Sequence, residues 1–236
     1  MRKCLVDIKD IEKDFEMRKV VNGVSFQIYE GEVVGIIGPN GAGKTTTLNI
    51  ILGLEKQTKG KIAYWSKDYK SLIGAQLQSP PSFPDLSAIE NLELFACFYR
   101  MKLSKDELTS LMRICALDNV QDTEVNKLSG GQQKRLSIAS AIVHQPQLIF
   151  LDEPTAALDP RSRKEIHKMI KEIKSEGKTI VLTSHDMNEV SKIADRILFF
   201  YKGRIIAEGT TLELFDKYQK HDLEEIFLHI TKEEFA

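Results

Sequence analysis

Residues 38–45 read GPNGAGKT, a spacing built for phosphate. Gly38, Gly41 and Gly43, with Pro39, Asn40 and Ala42 between them, let backbone N–H groups turn inward around β- and γ-phosphate oxygens. Lys44 adds a point charge for the same phosphates. The Thr45 hydroxyl suits a Mg²⁺ ion, and Thr46 completes the loop. The context agrees, because the apolar run VVGII precedes the loop and the helical pattern TTTLNIILGL follows it, with Gly53 as its stop.

A metal–phosphate site also needs a carboxylate at a strand end, and LIFLDEP supplies two. Asp152, at the tip of the apolar run, can hold Mg²⁺. Glu153 points elsewhere and is suited to act as general base toward an attacking water. His185, in TIVLTSHD, again follows an apolar run, where an imidazole could touch a γ-phosphate oxygen or that water.

These residues need a scaffold that ends several strands together. VVGII, LIFL, TIVLT and RILFFY are continuous and β-branched rather than alternating, as expected for parallel strands covered on both faces. Helical patterns lie between them, so the class is α/β. Residues 85–127 read as purely helical: SAIE and SKDE each fit a capping box ahead of an apolar stripe, Leu92, Phe95, Ala96, Tyr99 and then Leu108, Leu111, Met112, Cys115. VDIKDI, GVSFQI and GKIAYW in the first third predict a small antiparallel layer, with Trp65 packing in a short hairpin.

The 236 residues suffice for one large α/β domain. With 33 basic residues against 34 acidic ones, nothing asks for nucleic acid. Cys4, Cys97 and Cys115 form no CxxC pair and read as reduced thiols. The N-terminus lacks the apolar region of a secretory signal, and no window approaches the ~20 apolar residues of a membrane helix. The expectation is a cytoplasmic protein able to dock on a membrane partner.

LSGGQ at 128–132 raises a separate question. It has no lysine and no carboxylate pair after it, so it is not a second complete phosphate site. It does offer a serine hydroxyl, glycine N–H groups and a helix N-terminus, which suit a phosphate arriving from outside. Together with GPNGAGKT, LIFLDEP and His185, this motif resembles the nucleotide-binding subunits of ABC transporters, over about residues 4–232. The resemblance implies a P-loop NTPase (RecA-like) core at about 1–84 and 128–210. It adds an antiparallel β layer, an inserted α-helical lobe at about 85–127 and a helical tail at about 211–236. It implies ATP and Mg²⁺, and a head-to-tail pair of subunits in which Ser129, Gly130, Gly131 and Gln132 of one copy cap the ATP on the other's P-loop. Intact half-sites on one chain favour a homodimer.

The resemblance also assigns individual roles. Asp159, in AALD, would communicate between the two sites, and His185 matches the switch histidine. Gln78, in IGAQLQSP, would sense Mg²⁺ and water, with Gln76 as a rival two residues earlier. Phe15 would stack on adenine, although a core phenylalanine is an equal reading of it. Glu153 would activate water, with Lys44 on the phosphates and Thr45, Gln78 and Asp152 around Mg²⁺. The segment PPSFPDLS is where such subunits receive an integral membrane permease. The tail DLEEIFLHIT resembles export ATPases that work with separate ABC-2-type permeases. A soluble ABC-type ATPase remodelling a non-membrane partner is the alternative. A small-molecule kinase would have no use for LSGGQ.

Overall fold

The structure is a computed structural model and describes residues 2–16, 18–78 and 82–235. Ser79, Pro80 and Pro81, from the expected glutamine and permease segments, lie outside the described residues. Along the chain, β1 (Cys4–Phe15) and β2 (Arg18–Tyr29) are followed by β3 (Val33–Ile37), α1 (Lys44–Ile51) and β4 (Lys59–Tyr64). Then come β5 (Ile73–Gln76), α2 (Ala88–Phe98), α3 (Lys105–Ile114), α4 (Gly130–Ile142), β6 (Leu148–Asp152) and α5 (Pro160–Ser175). The chain closes with β7 (Thr179–Ser184), α6 (Met187–Val190), β8 (Arg196–Tyr201), β9 (Arg204–Gly209), α7 (Thr211–Tyr218) and α8 (Leu223–Phe235).

Two compact units result, Met1–Tyr69 with Thr179–Ala236, and Lys70–Lys178. In the first, β1 is central to an antiparallel sheet ordered β2-β1-β4, the expected β layer. Trp65 lies one residue past β4, half-buried, and its N–H donates to the Leu5 carbonyl (3.0 Å). A second set of strands runs β7-β3-β8-β9, with β3 parallel to both β7 and β8 and β9 antiparallel at the edge. Every residue of β3 and β7 is buried, which is why both read as unbroken apolar or β-branched runs. The tail helix α8 buries Leu223, Ile226 and Ile230, and Phe227 meets the Phe199 ring at 5.9 Å. Its apolar face is therefore core of this unit.

The second unit is organised by α4, which packs on α2, α5, β5 and β6, while α2 packs on α3. The helical stretch at 85–127 joins this unit through α2, which packs on α4, and the compact division falls at 69/70 and 178/179. Both predicted capping boxes form, at Ser87–Glu90 and Ser104–Glu107. Leu92, Ala96, Leu108, Met112 and Cys115 are buried as the stripes require. Tyr99 departs from its stripe: it is exposed and stacks on His144 with ring centroids 3.7 Å apart. Burial drives the Cys115 thiol pKa far up, which keeps it inert, while Cys97 is exposed.

Candidate functional site

In the first unit the phosphate loop bridges the end of β3 and the start of α1. Gly43, the N-cap of α1, has φ 100°, and a Cβ there would lie 2.7 Å from the Val20 carbonyl oxygen, so only glycine fits. Lys44 is buried, and its ammonium donates to the carbonyls of Gly38 (2.8 Å) and Pro39 (3.1 Å), folding the loop around its own charge. The turn after β8 supports the loop from below, with Gly203 N–H donating to the Ala42 carbonyl (3.0 Å). Ile37 pairs with Ser184 in the β3–β7 register, so Gly38 and His185 are the next residues at one edge of the sheet. His185 and the phosphate loop thus follow the carboxyl ends of neighbouring parallel strands, where ligands of open α/β sheets bind.

Phe15 ends β1 opposite Arg18 and is 42% exposed, with the Lys13 ammonium 4.6 Å from its ring centroid. The core reading of Phe15 is therefore excluded. One face of an aromatic ring at a hairpin tip, covered by a cation on the other, is a platform for a flat partner.

In the second unit β5 and β6 are parallel, with Gln76 opposite Leu151. Asp152 closes β6 and is buried. Glu153 follows at φ 47°, a left-handed conformation that non-glycine residues rarely adopt and that turns the chain sharply off the strand. The two rival glutamines part company. Gln76 is buried and its amide nitrogen donates to the carbonyls of Leu77 (2.5 Å) and Asp152 (3.3 Å), while its Oε1 has no hydrogen-bond partner among the described residues. Gln78 is exposed and lines a cavity of about 420 Å³ with Gly130, Lys134, Ser137, Ala156 and Leu158.

The motif LSGGQ is itself a capping box, a pattern legible in S-x-x-Q but absorbed by its chemical reading. Ser129 is the N-cap of α4: its Oγ accepts from Gln132 N–H (3.3 Å), and Gln132 Oε1 accepts from Ser129 N–H (2.8 Å). Accepting that bond leaves the serine O–H proton available to donate, and first-turn N–H groups of a helix have no intrahelical acceptor. Gly131 packs tightly, since a Cβ would stand 2.4 Å from Ser162 Oγ, whereas Gly130 meets nothing within 4 Å among the described residues.

Two residues escaped the sequence reading. Lys134, one turn into α4, has its pKa lowered by burial against the opposing pull of Asp152 and Glu153. Arg135 is buried and ion-paired with Glu165, tying α4 to α5. Asp159 caps α5, accepting from Arg161 N–H (2.9 Å), Ser162 N–H (3.1 Å) and Ser162 Oγ–H (2.6 Å), and the bond from the Ser162 hydroxyl leads in holding its carboxyl below the usual range.

The family profile described as "ABC transporter" matches residues 21–156. The chain belongs to the ABC transporter family. It is 36% identical over 231 residues to the Nod factor export ATP-binding protein I of Burkholderia orbicola (strain AU 1054), covering 94% of this chain and 76% of that protein. It is 36% identical over 208 residues to the lantibiotic transport ATP-binding protein SrtF of Streptococcus pyogenes, covering 86% and 90%. Among solved structures, an ATP-binding subunit of an ABC transporter superposes with TM-score 0.83 at 27% identity, covering 96% of this chain and 99% of that one. A dimeric ATP-binding cassette in a post-hydrolysis state with ADP and Pi superposes with TM-score 0.78 at 31% identity, covering 87% and 98%. This ABC chain is an ATP-binding, ATP-hydrolysing subunit, and its fold is the P-loop NTPase fold expected from the motifs. No helix among its described residues is long and apolar enough to cross a membrane.

Proposed function

We propose that two copies of this ABC subunit bind ATP between them and drive export through a separate integral membrane permease. The subunits would work in the cytoplasm, on the inner face of the membrane. The observation that carries the two-copy reading is Gly130. Its φ is ordinary and nothing among the described residues stands within 4 Å of its missing side chain, so their packing gives no reason for glycine at the first position of α4. A phosphate pressed onto the helix N-terminus from another molecule supplies that reason.

Lys44 holds the β- and γ-phosphates, and Ser129 O–H with the Gly130 and Gly131 N–H groups closes on the γ-phosphate of the opposite copy. Glu153 takes a proton from water as the water oxygen bonds to the γ-phosphorus. The bond from that phosphorus to the β–γ bridging oxygen breaks, leaving ADP and inorganic phosphate. His185 steadies the γ-phosphate and the attacking water. Phe15 supports the adenine, and Asp159 relays between the paired sites through the start of α5.

The hydroxyl of Thr45, the carboxylate of Asp152 and the amide oxygen of Gln78 are the hard oxygen donors that suit Mg²⁺, which supplies charge neutralisation on the phosphates. Gln76, buried and bonded to the Asp152 carbonyl, instead holds the ends of β5 and β6 in register.

Gly130→Asp separates a functional loop from a structural one. Aspartate at the first turn of a helix is tolerated or stabilising, by about 0.3–1 kcal/mol, so the melting temperature should stay level or rise slightly. ATP hydrolysis should fall at least tenfold, because a carboxylate then faces the partner's phosphate. Loss of both folding and activity would return Gly130 to a packing role. The permease is tested by affinity purification of the Glu153→Gln protein with ATP from detergent-solubilised native membranes, followed by mass spectrometry. A multi-span membrane protein should be recovered in stoichiometric amount. Recovery of soluble proteins alone would favour the remodelling ATPase.

A further inference from the structure

A second cavity, of about 280 Å³, opens beside the phosphate loop, entirely within the first unit. Pro39, Asn40, Gly41 and Ala42 form one wall, and the others carry the side chains of Arg18, Lys19 and Lys202. No carboxylate lines it among the described residues. The three cations are not equivalent. Lys19 is ion-paired with Glu12 (2.9 Å), and the Lys202 ammonium lies 5.2 Å from the Tyr201 ring centroid. Arg18 has neither an ion pair nor a hydrogen bond among the described residues. Its guanidinium nonetheless sits at the loop: a Cβ built on Gly41 would be 4.0 Å from Arg18 Nη2.

We propose that Arg18 is a further nucleotide-binding residue of this subunit, its guanidinium holding a phosphate oxyanion in the cavity beside the phosphate loop. An unpaired guanidinium in a cleft without carboxylates is an anion site, and a planar fork of donors matches a phosphate. The cavity wall is the loop that binds ATP, which makes the nucleotide the source of that phosphate, with free inorganic phosphate as the other. Arg18 is also the cross-strand partner of Phe15, so the tip of the β1–β2 hairpin presents a ring and a guanidinium side by side. That pairing lets the end of one hairpin address the base and a phosphate of one molecule. The proposal rests on ATP binding at residues 38–46.

The test compares wild type, Arg18→Ala, Arg18→Lys and Lys19→Ala by fluorescence titration with a mant-labelled ATP, alongside melting temperature, steady-state ATPase kinetics and binding of radiolabelled inorganic phosphate. Arg18→Ala should weaken nucleotide binding about 5- to 20-fold at low ionic strength, the scale of one lost charge-assisted bond. KM should rise with it while kcat and the melting temperature stay level. Raising salt to about 0.5 M should shrink the gap, since Arg18 is exposed and screening shortens its reach. Arg18→Lys should recover part of the loss, and Lys19→Ala should change little. Unchanged nucleotide binding with lost phosphate binding would keep the subsite and assign it to free phosphate. No change in either overturns the proposal. A folded wild type that binds no mant-ATP would overturn the ATP reading instead, and the phosphate arm would then decide Arg18.

Discussion

Glu153→Gln should lower the ATPase rate about 10²- to 10³-fold, within the range for removing a general base, while leaving ATP binding intact. The substitution is nearly isosteric and keeps an unbranched side chain at a position whose backbone is held at φ 47°. The strain of the turn after β6 is therefore the same in both proteins, and the loss reads out proton transfer alone. With hydrolysis blocked, ATP should accumulate in the shared sites, so size-exclusion chromatography with ATP should show a dimer where the wild type elutes as a monomer. A Glu153→Gln protein that hydrolyses ATP at the wild-type rate would move the base elsewhere. One that stays monomeric at saturating ATP and high protein concentration would defeat the shared-site reading for the isolated subunit.

Lys44→Ala should abolish ATP binding at millimolar concentration. The Lys44 ammonium has two tasks: it holds the loop through the Gly38 and Pro39 carbonyls, and it meets the phosphates when ATP enters. A charge-assisted hydrogen bond contributes about 1.5–3 kcal/mol, so its loss alone weakens binding about 10- to 100-fold. Two loop carbonyls left without their donor add to that. Thermal melting gives a direct measure. Ligand at 100 times its Kd stabilises a protein by about 2.7 kcal/mol, equivalent to an upward shift of about 5–10 °C in a domain of this size. Wild type should show that shift with ATP and Lys44→Ala should show none, the variant starting from a lower melting temperature without nucleotide because the Gly38 and Pro39 carbonyls lose their donor. A full shift in the variant would mean that the loop binds phosphate by its N–H groups alone.

How much of this was legible beforehand depends on the distance over which each feature is encoded. The phosphate loop is set by eight consecutive residues, because glycine φ angles and a lysine at fixed offset act within one turn of chain. Capping boxes work the same way across four residues, so SAIE and SKDE were readable; Ser129–Gln132 and Thr210–Glu213 carry the same code. The continuous apolar runs revealed β3, β6, β7 and β8, since strands buried on both faces leave no room for a polar alternation.

What only the tertiary structure decided are the matters of register and exposure between distant residues. Gln76 and Gln78 are two apart in similar surroundings of sequence, yet pairing with β6 buries the first and leaves the second at a cavity. Phe15 could be core or surface until its hairpin tip was placed. Arg18 carries no motif at all, and its position at Gly41 follows from how the start of β2 lies against the phosphate loop. Local backbone preference writes a loop into a few neighbouring letters. Which side chains then face that loop is settled by strand pairing and packing across more than a hundred residues, and no short window of sequence contains it.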